Sequence, residues 1–258
     1  MCDALLYNWA NLNDVVKPSC FLSVIEFEIV SYQDEQFYRH KVSRMNQNSV
    51  TNNQTQTTNH SIFARIYELS TRGVSESSYM GPLRKETAGQ AHGLVLEVGA
   101  GNGLNFSYYD PKKVERLKAL EPDTAMLRYA RQRLSASSVP INLTQAAAEE
   151  LPFADNTFDS VVATLVFCSV TDPQQGLREI MRVLKSGGSL YMVEHVRSQG
   201  AISSRVQDMI TPVTRFVSGN CHWNRDTART VTEAGFQIEQ RRNLSSMLLP
   251  IIVLQATH

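Results

Sequence analysis

The sequence predicts an α/β fold, a doubly wound sheet with helices on both faces. Three observations predict it. From Ser61 onward, short apolar runs alternate with stretches of helical periodicity, the pattern of strands joined by crossover helices. Several of the runs are continuously apolar, as in strands covered on both faces. A glycine-rich turn follows the first run at once, and open sheets of this kind bind ligands at the carboxyl ends of their strands.

Taken in order, Ile62, Phe63, Ile66 and Tyr67 fall on one helical face, with Gly73 as the stop. A second helical stretch is predicted around Met80 to Thr87. Leu94–Val98 is a buried-type strand. Val114–Leu120 is the second strand, and Asp123 caps a helix running to Leu134. Ile141–Thr144 is a short third strand, and Ser160–Phe167 a continuous fourth. Leu177, Ile180, Met181 and Leu184 step at helical spacing and stop at Gly187 and Gly188. Ser189–Val193 is the fifth strand. Val206, Met209, Ile210, Val213, Phe216 and Val217 mark an amphipathic helix, suited to cover an apolar ligand. Thr227–Ala234 is a helix closed by Gly235. Phe236–Glu239 and Pro250–Gln255 complete seven strands.

The segment before Ser61 differs. Residues 45–60 carry no formal charge, and twelve of them are Asn, Gln or Thr, a composition that cannot bury a core and reads as a flexible linker. Residues 1–44 are mildly acidic, with one β-like run around Phe21–Tyr32 and no chemical motif. They form an appended element of unknown role, or Met45 is the start of the chain proper. Residues 61–258 are expected to be the working domain.

Composition bounds the function. Lys plus Arg and Asp plus Glu are each 25, a net charge of zero. Nucleic-acid binding is not expected without a basic excess. Four cysteines, Cys2, Cys20, Cys168 and Cys221, form no C-x-x-C pair, so no metal site is expected. Cys168 reads as a buried reduced thiol. No apolar run reaches about 18 residues, so no membrane span is expected, and no secretory signal is read. The expected setting is the cytoplasm and the expected state a monomer.

The informative segment is Leu96-Glu-Val-Gly-Ala-Gly-Asn-Gly-Leu-Asn105. Glycines at such a turn let backbone approach a ligand closely. Glu121 follows at the end of the second strand, where a carboxylate can accept both ribose hydroxyls of a nucleoside. The spacing is G-x-G-x-G, with Leu104 where the dinucleotide fingerprint needs its third glycine. Glu97, two residues before the first glycine, suits a cationic ligand better than a pyrophosphate. S-adenosylmethionine carries a sulfonium and an amino group, and no phosphate.

The segment resembles the first motif of class I S-adenosylmethionine-dependent methyltransferases, in the E-x-G-x-G-x-G form. Glu149-Glu-Leu-Pro-Phe153 with Asn156-Thr-Phe-Asp159 is similar to their E-x-L-P-F … S-F-D segment. Leu184-Lys-Ser-Gly-Gly188 is similar to their L-x-P-G-G turn. Thr164–Val170, Glu194-His-Val196 and Cys221–Thr227 resemble small-molecule members that include thiol S-methyltransferases of animals. A looser resemblance runs to ubiquinone/menaquinone C-methyltransferases. The resemblance implies a Rossmann-like seven-stranded sheet with the last strand antiparallel.

It also implies S-adenosylmethionine as cofactor. Glu97, Gly99, Ala100, Gly101, Gly103, Asn105, Glu121, Ala148, Thr164 and Leu165 are the expected binding residues. The family often places an Asp where this chain has Ala147, so adenine recognition is expected to rest on backbone near Ala148 and on packing. The expected activity is methyl transfer to a small, largely apolar acceptor such as a thiol or a quinol-type carbon or oxygen. His195 and His222 are the candidate bases. A catalytically silent S-adenosylmethionine-binding protein and, further off, an NAD-type oxidoreductase are the alternatives.

Overall fold

A computed structural model of the 258-residue chain describes residues 60–72, 76–246 and 248–258. The expectations for residues 1–44, for the linker apart from His60, and for Gly73 lie outside the described residues. Helix α1 (Ser61–Ser70) and a π-turn (Glu76–Met80) lead into α2 (Gly81–Thr87). Then follow β1 (Gly93–Val98), β2 (Val114–Leu120), α3 (Thr124–Arg133), β3 (Ile141–Thr144) and β4 (Phe158–Thr164). The chain continues through α4 (Pro173–Val183), β5 (Leu184–His195), α5 (Ala201–Val217), α6 (Thr227–Glu233), β6 (Gln237–Leu244) and β7 (Ile251–Thr257).

The seven strands form one sheet in the order β3-β2-β1-β4-β5-β7-β6. Strands β1 to β5 pair in parallel, and β7 runs antiparallel to both β5 and β6. The order reverses between β1 and β4, whose neighbours lie on opposite sides. That reversal opens a crevice at the carboxyl ends of the strands. The glycine turn leaves β1 at this point.

One core cluster joins β1, β4 and β5 to α4 and α6 through Leu96, Phe158, Leu177, Ile180 and Val231. A second packs Val95, Phe106, Leu117 and Ala130 on the other face. Asp123 caps α3 as expected, its Oδ1 accepting from the Ala125 and Met126 N–H groups at 2.8 and 2.9 Å.

Several boundaries differ from the sequence expectation, β5 among them, which runs from Leu184 to His195; those of β4, α4, β6 and β7 have identifiable reasons. Strand β4 stops at Thr164, because Leu165 takes a left-handed φ of 58° and turns the chain. Helix α4 stops at Val183, and Leu184 already pairs with Phe158 in the sheet. Strands β6 and β7 run longer, because antiparallel pairing from Gln237 to Leu244 recruits polar residues that apolar patterning misses. On α1, Ile62 and Ile66 are exposed, whereas Ala64 and Glu68 are buried.

Helix α5 is turned the opposite way from its apolar pattern. Gln207, Thr211 and Thr214 are buried, whereas Met209 and Val213 are exposed. The reason is hydrogen bonding. The Gln207 Nε2 donates to the Trp223 and Leu248 carbonyls at 2.9 Å and approaches that of Val196 at 3.2 Å. Its Oε1 accepts from the Ser198 N–H at 2.7 Å. Buried backbone groups need such partners, and that need outweighs burial of a Met and a Val. The apolar face therefore does not serve as an inward cover. No helix among the described residues is long and apolar enough to cross a membrane.

Candidate functional site

The site forms where β1, β2, β4 and β5 end. Gly101 has a left-handed φ of 55°, and a Cβ built there would meet nothing within 4 Å. Its backbone thus faces open space, as close approach by a ligand requires. Gly103, also left-handed at 82°, is needed for packing instead, since a Cβ would lie 2.8 Å from the Phe106 ring. Gly99 and Ala100 lead into the turn, where the Ala100 N–H donates to the Leu120 carbonyl at 2.8 Å.

Glu121 stands across from the turn. It is buried, and its two oxygens accept from the Gly101 and Asp123 N–H groups at 2.8 and 2.9 Å. Each oxygen keeps a second lone pair. Burial, against those two hydrogen bonds, pushes its carboxyl up to about 7, with the Asp123 charge adding to the rise.

Glu97 lies deeper. Its oxygens accept from Asn105 Nδ2 and the Tyr109 hydroxyl, both at 2.9 Å. Burial pushes it, too, up to about 7. Asn105 links outward, its Oδ1 accepting from Arg84 at 2.8 Å and its Nδ2 donating to Thr164 Oγ1 at 3.1 Å. Arg84 is itself buried and paired with Glu76 at 2.5 Å. The structure thus joins Glu97, Asn105 and Thr164, and it adds Arg84 and Tyr109, which sequence reasoning missed. Arg84 belongs to a helix with no motif; only contact across 21 residues reveals it.

Helix α1 clasps the glycine turn. Glu68, buried, accepts from Asn102 Nδ2 at 2.9 Å and from Arg133 at 2.9 Å. The His60 N–H donates to Asp123 at 2.6 Å. Ala148 is buried in the main core cluster beside α4. Leu165 packs with Met80, Val193 and Ile251, joined by the half-buried Tyr79 and Leu244.

Beyond β4 and β5 the two candidate histidines stand near two cysteines. His195 closes β5, and its Nδ1 is 3.9 Å from Cys221 Sγ. The His222 N–H donates to the Cys168 carbonyl at 2.8 Å. Burial, with Arg225 and Arg215 nearby, lowers the His222 imidazole to about 4, so it stays neutral and weakly basic. The Cys221 sulfur beside it, then burial, holds the Cys168 thiol well above its usual range. Both cysteines are free. Glu194, fully buried, accepts from the Val166, Phe167 and Cys168 N–H groups at 2.9, 2.9 and 3.2 Å. It fixes the turn after β4, a role no local pattern announces.

A family model described as a methyltransferase domain matches residues 96–192. A thiol S-methyltransferase of Rattus norvegicus is 32% identical over 55% of this chain and 59% of its own length. The chain therefore spans about three fifths of that relative. A phosphatidylethanolamine N-methyltransferase of Cereibacter sphaeroides is 34% identical over 54% of this chain and 68% of its own length. Among solved structures, an S-adenosylmethionine-dependent methyltransferase from Mesorhizobium loti superposes with a TM-score of 0.56. It is 15% identical, with 72% of this chain and 100% of that one covered, a likeness of fold.

Proposed function

The chain belongs to the class I S-adenosylmethionine-dependent methyltransferases, and we propose that it moves a methyl group from S-adenosylmethionine to a small, largely apolar acceptor, a thiol first among them. The observation that carries this reading is the open backbone at Gly101 set against the buried carboxylate of Glu121. Residues 61–258 are the domain that does the work, in a cytoplasmic setting that suits two buried free thiols.

S-adenosylmethionine supplies a methyl carbon already activated by the positive charge on its sulfur. The protein's residues have to bind, orient and exclude water. Glu121 accepts the ribose hydroxyls with its remaining lone pairs. Gly99, Ala100, Gly101 and Gly103 bring backbone close. Backbone near Ala148 meets the adenine. Asn105, its amide hydrogens given to Glu97 and Thr164 and its oxygen accepting from Arg84, braces the methionine end. Thr164 and Leu165 line the methionine end.

The acceptor side carries apolar cover from Tyr79, Leu165 and Leu244. Apolar burial gains about 25 cal/mol per Å², enough to hold a small acceptor without charged anchors. A thiol ionises at about pH 8.5 and needs little base assistance. For an oxygen or carbon acid, His195 is the candidate base that remains, since His222 is held at about 4.

The protonation of Glu121 gives a pH signature. In the free protein its carboxyl sits at about 7, and a cationic ligand with two hydroxyl donors favours the ionised form. Affinity for S-adenosylmethionine is expected to rise as pH climbs through about 7 and to level off above about 8. Glu121→Gln should flatten part of the slope; Glu97, also at about 7, supplies the rest in both proteins. Calorimetric titrations between about pH 6 and 8 check this, and equal slopes for the two proteins would count against it.

The acceptor is tested with methyl-labelled cofactor, offered separately small thiols, quinol precursors, total RNA and a protein extract. Label is expected in a small thiol. Label only in RNA or protein refutes the small-molecule reading. Label in a quinol precursor and never in a thiol moves the acceptor atom to carbon or oxygen.

A further inference from the structure

We propose that Cys168, His195 and Cys221 form a Cys₂His binding site for a divalent, thiolate-preferring cation of the zinc type. The inference rests on the thiol reading of the acceptor, since a cation on His195 leaves that imidazole unable to act as a base. The three residues come from three segments: the turn after β4, the end of β5 and the loop before α6. Their ligand atoms all lie within 4.8 Å of one another. A tetrahedral zinc ion, with zinc–sulfur bonds of about 2.3 Å and zinc–nitrogen bonds of about 2.0 Å, spaces its ligand atoms roughly 3.5–3.8 Å apart. The Cys221 Sγ to His195 Nδ1 distance of 3.9 Å is already near that value.

The surroundings suit such an ion. Cys168 and Cys221 are 1% and 7% exposed, and neither sulfur is committed to a disulfide. Binding would release one proton from each thiol to solvent while each sulfur donates a lone pair to the cation. No redox change occurs, and two thiolates balance the double positive charge, so the buried site stays neutral. Three protein ligands leave a fourth position for water or another donor, as in zinc sites that are not purely structural.

The ligands are also held from behind, as metal sites require. Glu194 accepts from the Cys168 N–H. Arg225 donates to the Phe167 and Val170 carbonyls at 2.6 and 2.7 Å, on either side of Cys168. Asn220 Nδ2 donates to the Ser169 carbonyl at 2.7 Å, and the Thr214 hydroxyl to that of Cys221 at 3.2 Å. With the His222 to Cys168 backbone bond, these contacts join the two cysteine loops before any ion arrives. The sequence conceals the site, since no two of the three residues share a C-x-x-C or H-x₃-H spacing.

The test titrates cobalt(II) into the reduced, metal-stripped full chain. One equivalent is expected to produce thiolate-to-cobalt charge-transfer absorption and the intense visible bands of tetrahedral cobalt, both abolished by added zinc. C168S and C221S should each lose the charge-transfer band, and H195Q, at a half-buried position, should weaken cobalt binding at least about tenfold. C2S/C20S should leave the spectrum unchanged. Circular dichroism of each variant establishes that it is folded. No band in the parent chain overturns the proposal. So does a band that survives C168S or C221S, or a chain that forms a Cys168–Cys221 disulfide on mild oxidation and takes no cobalt when reduced.

Discussion

Glu121→Ala and Gly101→Val are expected to weaken S-adenosylmethionine binding more than any other single changes in the glycine turn or at the end of β2. Removing the carboxylate deprives the ribose of a charge-assisted acceptor. That costs about 1.5–3 kcal/mol, or roughly 10- to 150-fold in affinity. Valine at position 101 acts twice. Its side chain fills the open space over the turn, and a β-branched residue is forced to a φ of 55°, which costs about 1–3 kcal/mol in strain. Calorimetry on folded variants measures the loss. Unchanged affinity in both would remove the turn and its carboxylate from the binding site.

The largest expected effect on stability belongs to Glu194→Ala. The side chain is fully buried and accepts three backbone N–H groups from the turn after β4. Each buried donor left without a partner costs about 1–3 kcal/mol. Allowing for partial relaxation, the variant is expected to lose about 3 kcal/mol or more. For a domain of this size that lowers the melting temperature by roughly 6–12 °C. Glu194→Gln, which keeps one acceptor oxygen, should fall between the parent and the alanine variant. Thermal melts within about 2 °C of the parent for Glu194→Ala would show that this carboxylate does not hold the turn.

The sheet was legible because its central strands are apolar and bounded by glycine or by helix caps. Val114–Leu120 and Ile141–Thr144 stand as read from the sequence, and Asp123 caps its helix as its residue type suggests. Where polar backbone demands outweigh side-chain burial, the pattern misleads. Helix α5 is the clearest case: Gln207 faces inward to serve loop carbonyls, and the apolar stripe faces outward. Leu165 gives a second case, since nothing in an apolar run announces a left-handed residue.

Within the candidate site, the spacing of Glu97, Gly99, Gly101 and Gly103 and the position of Glu121 were legible because they belong to one strand–turn–strand unit. Arg84, Tyr109 and Glu194 were not, because their partners are distant in sequence. Arg84 reaches Asn105 across 21 residues, and Glu194 reaches Val166 across 28. The Cys168, His195 and Cys221 cluster was hidden for the same reason. Sequence spacing reveals groups that share a local element, and the end of a parallel sheet gathers groups that do not.

The central claim is that the turn after β1 and Glu121 hold an adenosyl sulfonium cofactor and not a dinucleotide. Titration of S-adenosylhomocysteine and of NAD into the same full-length chain tests it most directly. One-to-one binding of S-adenosylhomocysteine, weakened at least about tenfold by Glu121→Ala, with no heat from NAD, is the expected result. Binding of NAD, or no binding of S-adenosylhomocysteine to the folded chain, would contradict it.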